Sequence, residues 1–383
     1  MSNIAVVLMV KNEAARISET IKSCSHPSIS GLVIYDTGSV DDTLKVIETS
    51  ASLMPNIQHV NIRVGEFIDF ATSRNACLDF AHECASQHGY DYFFLLDSND
   101  ELIIDANFDP TALSSDSAVW LITCDWKISE GGTPYTFKST KLVRARVPEL
   151  RWVGVVHEYL SHAHHKRDLC NSVRIYQDRI KDNDGKTRDR WSRDRLLLER
   201  EHKKNEKDLR SLFYLAQTYA CLDEPKLAYE HYAKRTKYVG EGFYEEQFCS
   251  LLRCGDLSRK LNYPVDLTIS WYMKAFMHSE RAEPLVALSE IYESMKQYKL
   301  AYAFAKLACT IQFPKDSLLF IDKHCYEYKR WHILGRVAWY AAKGVEASIM
   351  KDGNLGCSKA LKASQLAVDV NNASFYKDFP YEK

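Results

Sequence analysis

The sequence predicts an α/β domain built on a mainly parallel sheet, followed by an all-α domain of helical repeats. Three observations lead there. Up to about residue 165, short apolar runs alternate with helical stretches, as they do where crossover helices join parallel strands. Beyond about residue 190 the strand signal stops and a helical period takes over. In that second part Leu212, Leu215, Tyr219 and Ala228 recur 73 positions later as Leu285, Leu288, Tyr292 and Ala301.

The elements follow in order. Ile4–Val10 is a continuous apolar run. It lacks a basic start and runs into Lys11-Asn12-Glu13, so it reads as a buried strand and not as a signal peptide. Asn12–Cys24 is helical, and Gly31–Asp36 is a second strand. Ser39 and Asp42 have the spacing of a capping box for the next helix, Thr43–Ser50. A third strand, Ile57–Val64, precedes a helix over Phe70–Gln87, and two further strands cover Tyr92–Leu96 and Ala118–Cys124.

Asp182–Asp208 is highly charged and reads as a linker helix. The repeat offset equals two periods of roughly 34 residues with a small insertion, the spacing of a tetratricopeptide array. Between the two matched units Phe248–Ala275 is helical but degenerate, with Tyr272 and Ala275 in place. Trp331-His332-Ile333-Leu334-Gly335 fits the W-x2-L-G opening of a further unit. The expected boundaries are 1–185 for the α/β domain, 186–208 for the linker and 209–383 for the repeats.

Composition narrows the function. A chain of 383 residues, at roughly 150 per domain, suits two domains. With 46% hydrophobic residues it has material for a core, which excludes a disordered chain. Lys and Arg number 50 against 51 Asp and Glu, so the basic surplus of a nucleic-acid binder is missing. No apolar run reaches the ~18–20 residues of a transmembrane helix. Eleven scattered cysteines without a CxxC pair suggest reduced, buried thiols and a cytoplasmic setting.

Chemistry gathers where strands end. Val10-Lys11-Asn12-Glu13 closes the first, and Asp36-Thr37-Gly38-Ser39-Val40-Asp41 the second. A carboxylate at the carboxyl end of a parallel strand sits where such sheets bind ligands. Leu96 opens into Asp97-Ser98-Asn99-Asp100-Glu101, a set of oxygen ligands of the kind hard cations prefer.

These clusters, with Arg74-Asn75 on the third helix, together resemble the family 2 glycosyltransferases, inverting enzymes of the GT-A fold that use nucleotide-diphosphate sugars. Arg151-Trp152-Val153-Gly154-Val155-Val156-His157-Glu158 resembles the W-x-G-x-x-H-E element of a subgroup carrying C-terminal tetratricopeptide repeats. The stretch Arg210–Tyr219 is similar to the repeat start of that subgroup. The resemblance extends over nearly the whole chain.

By that resemblance Asp36 binds the uracil or ribose of the donor, with the backbone near Val10 and Glu13 lining the base. Arg74 lies toward the diphosphate, and Asp97 with Ser98 contacts ribose or metal. The family's D-x-D motif has Asn99 in place of its second Asp, so the implied Mn²⁺ or Mg²⁺ ligands are Asp97, Asn99, Asp100 and His157. Glu158 is the first candidate for the general base and Asp125 the second. Trp126 and Trp152 form an acceptor platform or are two core tryptophans.

The run His162–Lys166 reads as a solvated loop, and Arg188–Arg195 as a charged helix face. The implied donor is a UDP-sugar carrying glucose or N-acetylglucosamine. The acceptor is a peptide or protein, with a glycan as the runner-up. The repeats could also bind a protein partner or mediate self-association. The rival class is a non-catalytic scaffold with a degenerate transferase domain, and Asn99 is the residue that favours it.

Overall fold

In the computed structural model, β1 (Ile4–Val10) splits its side chains between the two faces of a sheet. Ile4, Val6, Leu8 and Val10 enter one apolar core, and Ala5 and Val7 the other. A strand covered on both sides has to be apolar at every position, which explains the unbroken run. The structure describes residues 3–127, 135–161, 165–181, 184–343, 346–364 and 367–376. The chain divides into two compact units, Met1–Asn205 and Glu206–Lys383.

In the first unit β1 is followed by α1 (Ile17–Ser23), β2 (Ile29–Asp36), α2 (Thr43–Ser52), β3 (His59–Val64) and α3 (Phe70–His88). Then come β4 (Tyr92–Leu96), β5 (Glu101–Ile104), β6 (Ser117–Lys127), β7 (Tyr135–Arg144), β8 (Arg151–Val153), β9 (Tyr159–Ser161), β10 (Lys166–Asp178) and α4 (Asp184–Lys204). The main sheet has the order β3-β2-β1-β4-β7-β6-β10-β5, and β8 and β9 form a separate hairpin. Helices α1 and α2 cover one face through Ile17, Ile21, Ile47 and Ala51, while α3 covers the other through Cys77, Leu78, Ala81 and Ala85.

The α/β character is as predicted, but the sheet is mixed. Its β3-β2-β1-β4 half is parallel throughout, whereas β7 runs antiparallel to both β4 and β6, and β5 antiparallel to β10. The chain leaves β1 toward β2 and β3, then returns to place β4 on the other flank of β1. That reversal is a topological switch point, and its crevice lies beyond the carboxyl ends of the strands.

Two local expectations are corrected. The first helix begins at Ile17 and not at Asn12, because Asn12 has a left-handed φ of 55°. The capping box also does not form. Asp42 caps α2 without a side-chain hydrogen bond, and the Ser39 hydroxyl donates to Asp36 at 2.6 Å.

The second unit is helical. It contains α5 (Leu209–Cys221), α6 (Pro225–Arg235), α7 (Tyr244–Lys260), α8 (Val265–His278), α9 (Ala282–Ser294) and α10 (Tyr298–Thr310). A π-helical turn, Cys325–Lys329, leads into α11 (Arg330–Ala342), α12 (Ala347–Ser364) and α13 (Ala367–Ser374). Leu212, Leu215, Tyr219 and Ala228 are buried, as are Leu285, Leu288 and Ala301, so the recurring positions are the repeat cores. The degenerate stretch is the α7–α8 pair, with Tyr272 and Ala275 fully buried.

Candidate active site

The loops after β1 and β2 are stitched together at the switch point. Asp36 ends β2 with only 2% exposure. Its carboxylate accepts the Ser39 amide N–H at 3.1 Å, in a turn where Gly38 has φ 94°. Ser39 Oγ in turn accepts the Asn12 amide at 2.9 Å, and the Val40 amide donates to the Asn12 side-chain carbonyl at 2.8 Å. The Val10 carbonyl accepts the Thr37 amide and hydroxyl, and the Glu13 amide donates to Thr43 Oγ1 at 2.8 Å. The three residues expected around a base, Val10, Glu13 and Asp36, thus share one rigid corner.

At the end of β4 the chain turns tightly. The Asp100 amide donates to the Asp97 carbonyl at 3.0 Å, and the Asp97 amide to Asp100 Oδ2 at 2.9 Å. Ser98 is tied down through its carbonyl, which accepts Thr20 Oγ1 at 2.8 Å. Arg74, on the second turn of α3, bridges two predicted site residues. Its Nε donates to Glu158 Oε1 at 2.5 Å, and its Nη2 pairs with Asp97 Oδ1. The guanidinium also lies 5.1 Å over the Trp152 ring.

Glu158 is brought there by the loop between β8 and β9. Asn75 fixes the start of that loop by accepting the Trp152 amide at 2.8 Å and donating to the Trp152 carbonyl at 3.0 Å. Gly154 (φ 105°) and His157 (φ 53°) supply the reversals that return the chain toward α3. His157 itself is exposed.

One residue the sequence did not single out sits at the centre. Lys141 of β7 donates to Asp97 Oδ2 and to Asp100 Oδ2, both at 2.9 Å. Asp100 Oδ1 accepts Gln177 Nε2 at 2.9 Å, and Asn99 Oδ1 accepts the same amide at 2.7 Å. Arg179 donates to Gln177 Oε1 at 3.1 Å.

Electrostatics follow from this packing. Burial works against the charge of Asp97, but Lys141 and Arg74 outweigh it and hold the carboxyl well below the usual range. Burial, with Asp97 as a like-charged neighbour, pushes Asp100 up despite Lys141. For Lys141 and Arg74, burial opposes the charge and the surrounding carboxylates reverse that, raising both.

Three of the four expected metal ligands, Asp97, Asn99 and Asp100, are therefore otherwise engaged. Both carboxylate oxygens of Asp97 and of Asp100 face protein donors, and so does the Asn99 carbonyl. No three His, Cys, Asp or Glu side chains group as metal ligands among the described residues. The donor set present does not fit a divalent ion.

The second candidate base lies in a different cluster. Asp125, near the end of β6, accepts Arg174 Nε at 3.1 Å and Thr136 Oγ1 at 2.7 Å. Its neighbour Trp126 packs edge-on against Phe137, under the Arg179 guanidinium at 4.8 Å. Both tryptophans are partly exposed and lie against arginine, and Trp152 also packs on the apolar core that α3 covers. In the histidine run, His162 and His164 lie outside the described residues, and His165 is beside Glu149. On α4 the expected charged face holds one exception: Asp194 is buried, and burial lifts its carboxyl to about 6.

No protein-family model and no curated protein matches the chain. Among solved structures it is similar to MamA, at 15% identity and a TM-score of 0.37, over 47% of this chain and 95% of that one. It is similar to residues 1–349 of TarS from S. aureus, at 14% identity and a TM-score of 0.33, over 77% of this chain and 91% of that one. A thermophilic TPR protein from Thermus thermophilus matches at 18% identity and a TM-score of 0.29, over 49% of this chain and 90% of that one. Likeness of this degree has no bearing on activity, which rests on the site.

Proposed function

We propose that the first unit is an inverting glycosyltransferase domain of GT-A type. It moves a hexose, glucose or N-acetylglucosamine, from a nucleotide-diphosphate donor, UDP by preference. The acceptor is a peptide, a protein or a glycan, and the helical repeats offer the kind of surface on which peptides bind. One observation supports this above the rest. Val10, Asp36 and Asp97 stand at the carboxyl ends of β1, β2 and β4 around the switch point, and Arg74 joins Asp97 to Glu158 there. Open parallel sheets bind nucleotides in that crevice.

The chemistry needs one in-line displacement. Glu158 takes the proton of the acceptor nucleophile as that nucleophile attacks the anomeric carbon, and the nucleoside diphosphate departs. Arg74 orients the Glu158 carboxylate from one side and offers a fixed positive charge beside Asp97. Glu158 is preferred over Asp125 because it belongs to the network that contains Asp97, whereas Asp125 is paired with Arg174. All the cysteines are free thiols, which suits a reducing compartment such as the cytoplasm. No helix among the described residues is long and apolar enough to cross a membrane.

The test is turnover of UDP-glucose and UDP-N-acetylglucosamine by the full chain, read as donor hydrolysis and as transfer to added peptides. Glu158→Gln should lower kcat by about 10²–10⁴ with little change in KM. The scaffold reading draws on Asn99 and the occupied carboxylates around it, and it predicts no turnover in the wild type.

A further inference from the structure

We propose that Lys141 closes the acidic loop in place of a divalent cation, so that nucleotide-sugar binding at this site does not depend on a metal ion. The inference rests on the donor-site reading above and adds to it the question of what neutralises the carboxylates.

Position is the first support. Lys141 lies in a β-bulge. Trp120 pairs with Leu142 and Leu121 with Thr140, so the ladder skips Lys141. A bulge re-aims the side chain it carries, and bulges gather beside functional sites. Here the extra residue sends an ammonium between Asp97 and Asp100, at 2.9 Å from an oxygen of each. Its side chain is 12% exposed, and the Asp100 side chain only 3%. A lysine that merely decorated a strand would extend into water.

Charge balance is the second. Asp97, Asp100 and Glu158 supply three negative charges, and Arg74 and Lys141 two positive ones. Arg179 joins the same network through Gln177. Carboxylates recruit a divalent ion when they converge without compensation, since hard cations need several oxygens at once. Here each oxygen of the pair already accepts a hydrogen bond, and a dication would have to expel an ammonium or sit against it.

The residue at the second D-x-D position agrees with this. Asn99 donates no charge, and its carbonyl is held by Gln177, itself buried. The Asp-to-Asn departure and the bulged lysine are then two parts of one arrangement.

The experiment is an electron paramagnetic resonance titration of Mn²⁺ into the full chain without nucleotide, paired with calorimetric titration of UDP-glucose in EDTA and in Mn²⁺. The wild type should leave the free Mn²⁺ signal intact, and its UDP-glucose affinity should agree in the two buffers within about twofold. Lys141→Met should open the carboxylate pair and begin to withdraw Mn²⁺ from solution, whereas Lys141→Arg should not. Stoichiometric Mn²⁺ binding by the wild type, or a UDP-glucose affinity that EDTA lowers about tenfold or more, overturns the proposal. The wild-type arms decide the matter even if Lys141→Met does not fold. Absence of both Mn²⁺ and nucleotide binding supports the closed lysine site while removing the transferase reading, so the two failures are distinct.

Discussion

Asp194 shows how a single buried group leaves a measurable trace. Its carboxyl rises from 3.8 to about 6 because burial, helped by Glu158, outweighs Arg190 and Arg193. Below about pH 4 it is protonated in both the folded and unfolded chain. Between about pH 4 and 6 the unfolded chain loses that proton first, so this group's contribution falls as pH rises and stays lost above about 6. Asp194→Asn should therefore raise stability at pH 8 by up to about 3 kcal/mol and remove that part of the decline, as read from urea midpoints across the pH range. Legibility at this scale follows location. Asp36 and Asp97 stand at strand ends that the sequence displays, whereas Arg74 and Glu158 stand out only through motifs that resemble a known family. Lys141 and Gln177 stand out in neither way, because each meets Asp100 only through strand pairing, 41 and 77 positions away along the chain.

Elements are readable where burial covers both faces. The runs Ile4–Val10 and Tyr92–Leu96 match their strands because strands inside a parallel sheet must be apolar throughout. The strands β7 and β10 escape such a reading because YTFKSTKLVR and KRDLCNSVRIYQD intersperse lysines, arginines and hydroxyls. Those polar positions face solvent in β10, and in β7 the bulge breaks the alternation. Helix packing in the repeats gives a sharper test. A Cβ at Gly356 of α12 would lie 2.6 Å from the Gly335 amide nitrogen and 2.7 Å from the Trp331 carbonyl oxygen of α11. Both are backbone atoms, so the helices would have to separate. Gly356→Ala should cost about 1–3 kcal/mol or more, seen as a lower thermal midpoint for the helical unit, although alanine is the better helix former. No change would mean that α11 and α12 do not cross this closely.

For the whole molecule, the change from an α/β part to a helical part is legible in the sequence, because strand alternation ends before the repeat period begins. The repeat register is legible because Leu212 and Leu215 of α5 are buried, as are their counterparts Leu285 and Leu288 of α9. The proposed function depends on the crevice at the end of β1, β2 and β4 being a nucleotide site. Isothermal titration of UDP-, GDP-, CDP- and dTDP-sugars into the full chain, in EDTA, tests that directly. One nucleotide, UDP by this account, should bind, and Asp36→Asn should weaken it about tenfold or more, roughly 1.4 kcal/mol, while the protein stays folded. If no nucleotide sugar binds to folded protein with or without Mn²⁺, or if Asp36→Asn binds as well as the wild type, the central claim is wrong.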